Sequence, residues 1–166
     1  MRGRSDRVEP AAGQESVWDY PRPPSLQRSD RHILIHLNGA KIVDTRRSWR
    51  VCETSHPPVY YVAAEDFAPG ALSPGDSGSF CEYKGAATYW HVTGRGVRRA
   101  DAGWSYEDPS AAYRAMRGAV AVYPGRMDEV LLDGEQVTPQ AGGFYGGWIT
   151  PDVVGPFKGD PGTRGW

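Results

Sequence analysis

His32-Ile33-Leu34-Ile35-His36-Leu37-Asn38-Gly39-Ala40-Lys41-Ile42-Val43-Asp44 decides the fold class. From Arg31 onward the hydrophobic period is two, which is the period of a strand. Asn38-Gly39 interrupts it with the strongest short hairpin signal, because both central positions of such a turn need positive φ. Two antiparallel strands joined by a two-residue turn are therefore expected over 32–44.

The same grammar runs outward along the chain. Ser48–Glu53 continues as a strand with Trp49, Val51 and Glu53 on one face. Val59–Val62 reads as another, and Phe80–Tyr83 and Ala87–Val92 flank a Lys84-Gly85 turn. Val97–Ser105 follows the Gly94-Arg95-Gly96 turn. Ala119–Tyr123 precedes Pro124-Gly125, and Val130–Leu132 with Glu135–Val137 encloses Asp133-Gly134 as a second hairpin. Between them, Ala64–Ser79 reads as a long loop rich in Gly, Pro, Ser and Asp. One helix is expected, with Asp108 as N-cap, Pro109 in the first helical position and Tyr113 and Met116 as an apolar stripe up to Gly118. Many short strands, tight turns and one short helix argue a mainly β domain.

Bulk composition agrees and excludes several classes. The chain has 166 residues, 39% of them apolar, with 21 Gly and 14 Pro, as expected of one turn-rich globular domain. A net charge of -1 gives no basic field for nucleic acid or an anionic membrane, so neither is expected as a partner. No apolar run approaches the ~20 residues of a membrane-spanning helix. The start, Met1-Arg2-Gly3-Arg4-Ser5, lacks the apolar segment of a secretion signal, so a cytoplasmic location is expected. The two cysteines, Cys52 and Cys81, are too few for a four-sulfur zinc site and are read as thiols in a reducing compartment. Residues 1–14 read as a disordered leader, and 15–166 as a single domain. Val17-Trp18-Asp19-Tyr20-Pro21-Arg22-Pro23-Pro24 is an extended arm packed on that domain, since a free linker rarely spends two large aromatics.

Three groups of residues could carry chemistry. The first is the corner Glu53-Thr54-Ser55-His56-Pro57-Pro58-Val59-Tyr60-Tyr61, stiffened by its prolines. A carboxylate on an apolar strand face suits proton transfer, so Glu53 is the candidate general base or acid, His56 its assistant and Ser55 a group that orients a substrate oxygen. The alternative is that Glu53 pairs with an arginine or satisfies backbone groups at the bend. The second group is Cys81-Glu82-Tyr83-Lys84-Gly85, where a thiol could be an activated nucleophile. On a strand, however, Cys81 and Lys84 point to opposite faces, so the lysine would not assist the thiol directly. The third comprises Tyr60, Tyr89, Trp90, Trp104, Tyr106, Tyr123, Tyr145 and Trp148, which are either the walls of a pocket for flat ligands or ordinary sheet core. His32 and His36 have the spacing of metal ligands on a strand, but no third ligand accompanies them; no metal and no cofactor are expected.

Several of these motifs occur together in one family. Ser16–Pro24, Glu53–Pro58, Cys81–Gly85, Tyr89-Trp90, Trp104-Ser105-Tyr106, Tyr123-Pro124-Gly125-Arg126 and Gly143–Trp148 resemble the domain-of-unknown-function 427 family of small bacterial proteins. The resemblance runs from Glu15 to Trp166. It implies a β-tent (Mss4-like) fold of two small antiparallel sheets leaning together, with an aromatic-walled cleft near their junction. Several proteins of that fold hold zinc with cysteine pairs, which this chain lacks. A nucleotidyltransferase label is sometimes attached to the family, but the sequence has neither a paired-aspartate metal motif nor a phosphate-cradling loop.

Two functions fit these residues. One is a cofactor-independent acid–base enzyme, of isomerase, cyclase, lyase or hydrolase type, acting on a small organic substrate. Its catalytic residues would be Glu53, His56 and Cys81, with Ser55, Tyr60, Lys84, Tyr89, Trp104, Tyr106 and Tyr123 binding the substrate. The other is a non-catalytic module that cages a nucleoside-like or heterocyclic ligand. A homodimer is compatible with either.

Overall fold

The computed structural model describes residues 7–81, 83–142, 145–160 and 163. It is mainly β, with several antiparallel sheets and little helix. The strands are β1 (Glu15–Ser16), β2 (Ser25–Ser29), β3 (Ile33–Leu37), β4 (Ala40–Thr45), β5 (Ser48–Cys52), β6 (Val59–Val62), β7 (Leu72–Cys81) and β8 (Gly85–Gly94). After these come β9 (Val97–Ser105), β10 (Val120–Val122), β11 (Glu129–Leu132), β12 (Glu135–Gln136), β13 (Thr138–Pro139), β14 (Trp148–Ile149) and β15 (Val153–Val154).

The hairpin signals fold as read. Asn38-Gly39, between β3 and β4, has φ of 50° and 77°, and Asp133-Gly134, between β11 and β12, has 50° and 80°. These two hairpins join through β11 and β3 into a four-stranded sheet of order β12-β11-β3-β4. A larger sheet of seven strands has the order β2-β5-β6-β10-β9-β8-β7, antiparallel throughout. The two sheets are thus unequal rather than both small. Short pairs, β1 with β15 and β13 with β14, attach the chain's outer segments.

Strand alternation divides the interior in two. Ile33, Ile35 and Leu37 of the small sheet meet Tyr60, Val62, Val120 and Val122 of the large one, and this aliphatic layer fills the space between them. Residues of opposite parity, Val51, Tyr61, Trp104 and Ala121, face a second cluster on the far side of the large sheet. Its centre is therefore buried on both faces. On the polar side of β3 and its entry, His32 lies 2.6 Å from Asp44 and His36 3.2 Å from Glu129, so the two imidazoles meet separate carboxylates.

Two expectations need correction. The segment 64–79 is not one long loop: a 3₁₀ turn covers Ala64–Asp66, and β7 begins at Leu72. Its pattern hides the strand because it is an exposed edge, carrying Pro74 beside a register shift between Pro74 and Gly78. The expected helix starts later than Asp108 and Pro109 suggested, as a 3₁₀ helix over Ala111–Met116. Ser110 stands at its N-cap position, but the hydroxyl donates to the Tyr83 carbonyl, so it ties down the Lys84-Gly85 turn instead of capping. Tyr113 and Met116, three residues apart, still bury together in the far-side cluster, a spacing that a 3₁₀ helix aligns on one face.

Of the expected leader, residues 1–6 lie outside the described residues. Arg7 pairs with Asp19 at 3.0 Å, and the Val8 amide donates to the Gly155 carbonyl. Along the arm, Val17, Trp18 and Tyr20 pack with Cys52 and Val153, and the Trp18 indole donates to the Pro156 carbonyl. Both cysteines are free, and burial pushes the Cys52 thiol up to about 11.

Candidate functional site

A cleft of about 330 Å³ opens on the far face of the large sheet, away from the small sheet. Its position is a second correction to the inferred layout, since the junction between the sheets is filled by aliphatic core. Glu53, His56, Cys81, Lys84, Tyr89, Trp104, Tyr106 and Tyr123 all line this cleft. They come from the β5–β6 corner, the end of β7, strands β8 and β9 with their flanks, and the end of β10. A neighbouring hollow of about 510 Å³ shares Tyr89, Tyr123, Gln140 and Tyr145 with it, so the two are lobes of one groove.

Lys84 reaches the cleft for a reason the strand pattern did not anticipate. Pairing of β7 with β8 ends at Cys81 opposite Gly85, and residues 83–84 lie in the turn. A turn has no two-residue alternation, so Cys81 and Lys84 face the same space. Gly85 has a φ of 109° there, a conformation open to glycine and strained for other residues.

Two expected site residues lie elsewhere. Tyr60 is opposite Arg50 in the register, on the face that packs against the small sheet, where its ring lies 4.9 Å from Trp148. Its neighbour Tyr61, opposite Trp49, takes the cleft side. Ser55 is 1% exposed and outside the cleft, with φ of 71°. Its amide donates to the Val17 carbonyl and its carbonyl accepts from the Lys158 amide, so it knots the arm and the C-terminal segment to the corner.

The corner itself holds Glu53 and His56 close together. Strand β5 stops at Cys52, and the His56 amide donates to the Glu53 carbonyl across a tight turn. Glu53 Oε2 lies 3.3 Å from Arg22 Nε and 4.0 Å from His56 Nε2. On the imidazole's other side, Gln140 Nε2–H donates to His56 Nδ1 at 3.2 Å. The Gln140 amide cannot reverse, because Nε2–H also donates to the Lys158 carbonyl at 2.7 Å and Oε1 accepts from the Gly147 amide at 3.1 Å. Nδ1 is therefore the acceptor and the proton sits on Nε2, facing Glu53. Burial lowers the His56 pKa below its ordinary value; Glu53 opposes this, and Arg22, Lys158 and Lys84 add to it. At neutral pH the ring is uncharged and is a proton donor at Nε2.

This arrangement has a consequence for stability. Between the folded pKa of His56 and its unfolded value near ~6.5, the unfolded chain binds more protons, so acid favours unfolding through that window. Wild type is expected to lose more stability than His56→Gln as pH falls from ~6.5 toward 5, read from urea midpoints. A parallel loss in both proteins would refute the assignment.

Tyr61, Tyr106 and Tyr123 stay protonated as well. Burial raises the Tyr61 pKa well above its ordinary value, with Tyr106 adding to it, and Trp104 Nε1–H donates to the Tyr61 hydroxyl at 3.2 Å. Burial likewise raises Tyr106, helped by Cys81, and Tyr123, helped by its hydrogen bond with Tyr89. Trp104 and Tyr123 form a wall with ring centroids 4.6 Å apart. Among the described residues the cleft offers neutral hydroxyls, flat walls, one carboxylate and one lysine.

Gln140 escaped the reading of the sequence, and Tyr61, though part of the corner it singled out, was given no role. The cross-strand register of β5 with β6 would have found Tyr61, but nothing marks a neutral amide after Pro139. Gly147 shows how tightly that amide is held: a Cβ there would lie 2.5 Å from both Gln140 Oε1 and Pro57 Cγ. Gly147→Ala is expected to cost about 1–3 kcal/mol and to release His56 into mixed tautomers. Urea unfolding and imidazole ¹⁵N shifts measure both; a single Nε2–H tautomer in the variant would refute the second effect.

Among the described residues, no helix is long and apolar enough to cross a membrane. A search of curated proteins finds no match to this chain. The family described as "Domain of unknown function (DUF427)" matches residues 25–133, from β2 through the turn after β11, a span that includes the corner and all but the last lining segment of the cleft. On that match the chain belongs to the DUF427 family.

Proposed function

We propose that the chain is a small-molecule enzyme working by general acid–base catalysis with its own side chains. The observation that supports this best is the His56 ring, fixed by Gln140 with its Nε2–H toward Glu53 at 4.0 Å inside a cleft. That separation exceeds a hydrogen bond, so the two groups are not tied to each other and can both reach adjacent atoms of one substrate lying alongside them. Glu53 takes a proton from carbon next to a carbonyl, the C–H electrons move onto the carbonyl oxygen, and His56 Nε2–H donates to that oxygen. As the oxygen's electrons re-form the carbonyl, return of the proton to the other face of the carbon, or through a conjugated double bond to the γ-carbon, gives isomerisation, and expulsion of a β-substituent gives elimination. The neutral imidazole keeps its Nε2 proton throughout and stabilises the oxygen by hydrogen bonding as charge builds on it, while Glu53 returns its own proton to carbon.

The test follows hydrogen at carbon. The protein is incubated in D₂O with a soluble small-molecule extract, and mass spectrometry seeks compounds that gain deuterium or disappear. At least one such compound is expected with wild type, and none with Glu53→Gln. A compound bound by both proteins yet changed by neither would overturn the enzyme reading. It would favour a module that cages a nucleoside-like or heterocyclic ligand, a reading supported by the Trp104–Tyr123 wall.

A further inference from the structure

The charges along the groove are unequally matched. Glu53 is paired with Arg22, and Asp101 in the adjoining lobe accepts from the Ser77 hydroxyl at 2.7 Å and from the Asp76 amide at 3.2 Å. Lys84 has no such partner. It is 9% exposed, it lines the cleft, and among the described residues no hydrogen bond or ion pair reaches its Nζ. Nζ lies over the Tyr106 ring, 5.8 Å from its centroid. The stem is buried while Nζ opens only onto the cleft, so the ammonium there is partly stripped of water without a counter-charge, and a weak contact with a ring offsets little of that cost. The acid–base scheme leaves this lysine unused.

We infer that the cleft takes an aromatic or heteroaromatic acid, with its carboxylate or phosphate on Lys84 Nζ and its ring against Trp104 and Tyr123. The inference names the substrate class of the enzyme reading and rests on the same cleft. An anion at Lys84 supplies the missing counter-charge in a place shielded from water, where a charge-assisted hydrogen bond is strongest. The wall of Trp104 and Tyr123 offers a flat apolar surface to the ring. At about 330 Å³ the cavity accommodates a single ring with its substituent.

Four probes separate the parts of this idea: phenyl phosphate, benzoate, neutral benzyl alcohol and inorganic phosphate. Each is titrated into the full chain while the Trp104 indole N–H resonance is followed. At least one of the two aromatic anions is expected to bind about tenfold tighter than benzyl alcohol, and also tighter than inorganic phosphate. Which one binds tighter distinguishes carboxylate from phosphate. Lys84→Gln should bring the aromatic anions to within twofold of benzyl alcohol. Lys84→Arg should keep the preference, which guards against a merely misfolded variant. The inference is overturned if anion and alcohol bind alike, if Lys84→Gln keeps the preference, or if no probe saturates. The probes undergo no turnover, so this result and the deuterium experiment can fail separately.

Discussion

Trp148→Ala is expected to lower the free energy of unfolding by about 4 kcal/mol. The indole is 1% exposed and lies 4.9 Å from the Tyr60 ring in the layer between the two sheets. Its backbone amide donates to the Pro58 carbonyl, so the same residue holds the segment after Gly147 against the proline corner. Truncation removes a large apolar surface and leaves a cavity that two paired sheets cannot close over. One feature of the wild type tempers this: the buried Nε1–H has no hydrogen-bond partner among the described residues. Phenylalanine fills much of the space without bringing an unpaired donor, so Trp148→Phe should cost less than half as much. Urea midpoints at unchanged m-value give both numbers. A loss below about 1 kcal/mol for the alanine variant would contradict the packing described.

How much of this was legible in the sequence depended on how local the determining physics is. Asn38-Gly39 and Asp133-Gly134 folded as read because a two-residue turn is decided by the φ its own residues tolerate. Glu53 was placed on the correct side by the alternation it shares with Trp49 and Val51, although β5 ends one residue before it. Tyr60 and Tyr61 could not be told apart in this way. Their faces are set by pairing with β5, and Tyr61 opposite Trp49 is a fact of register rather than of composition. The 72–79 part of β7 was missed because an edge strand is built to look unlike one, with proline and polar residues where a central strand would alternate. Gln140 is the hardest case. It acts through its amide geometry toward Lys158, Gly147 and His56, none of which it neighbours along the chain except Gly147, seven residues on. No residue type or spacing announces such a role.

Glu53→Gln should reduce turnover by about 100- to 10,000-fold on any compound that the deuterium experiment identifies, with affinity changed less than threefold. The substitution keeps the shape and removes the basic oxygen, so the corner and its contact with Arg22 stay in place while the proton acceptor is lost. A loss confined to kcat means the carboxylate acts in the transition state; a loss confined to KM would make Glu53 a binding group and refute its role as base. Gln140→Leu supplies the contrast. It touches no proposed reacting atom, yet it deprives His56 Nδ1 of its donor and lets the proton move away from the nitrogen that faces Glu53. A positioning role predicts a smaller fall in kcat together with a changed tautomer in the imidazole ¹⁵N spectrum. A fall in kcat with the Nε2–H signature intact would mean that Gln140 serves the fold alone, and that the orientation of His56 is fixed by the corner itself.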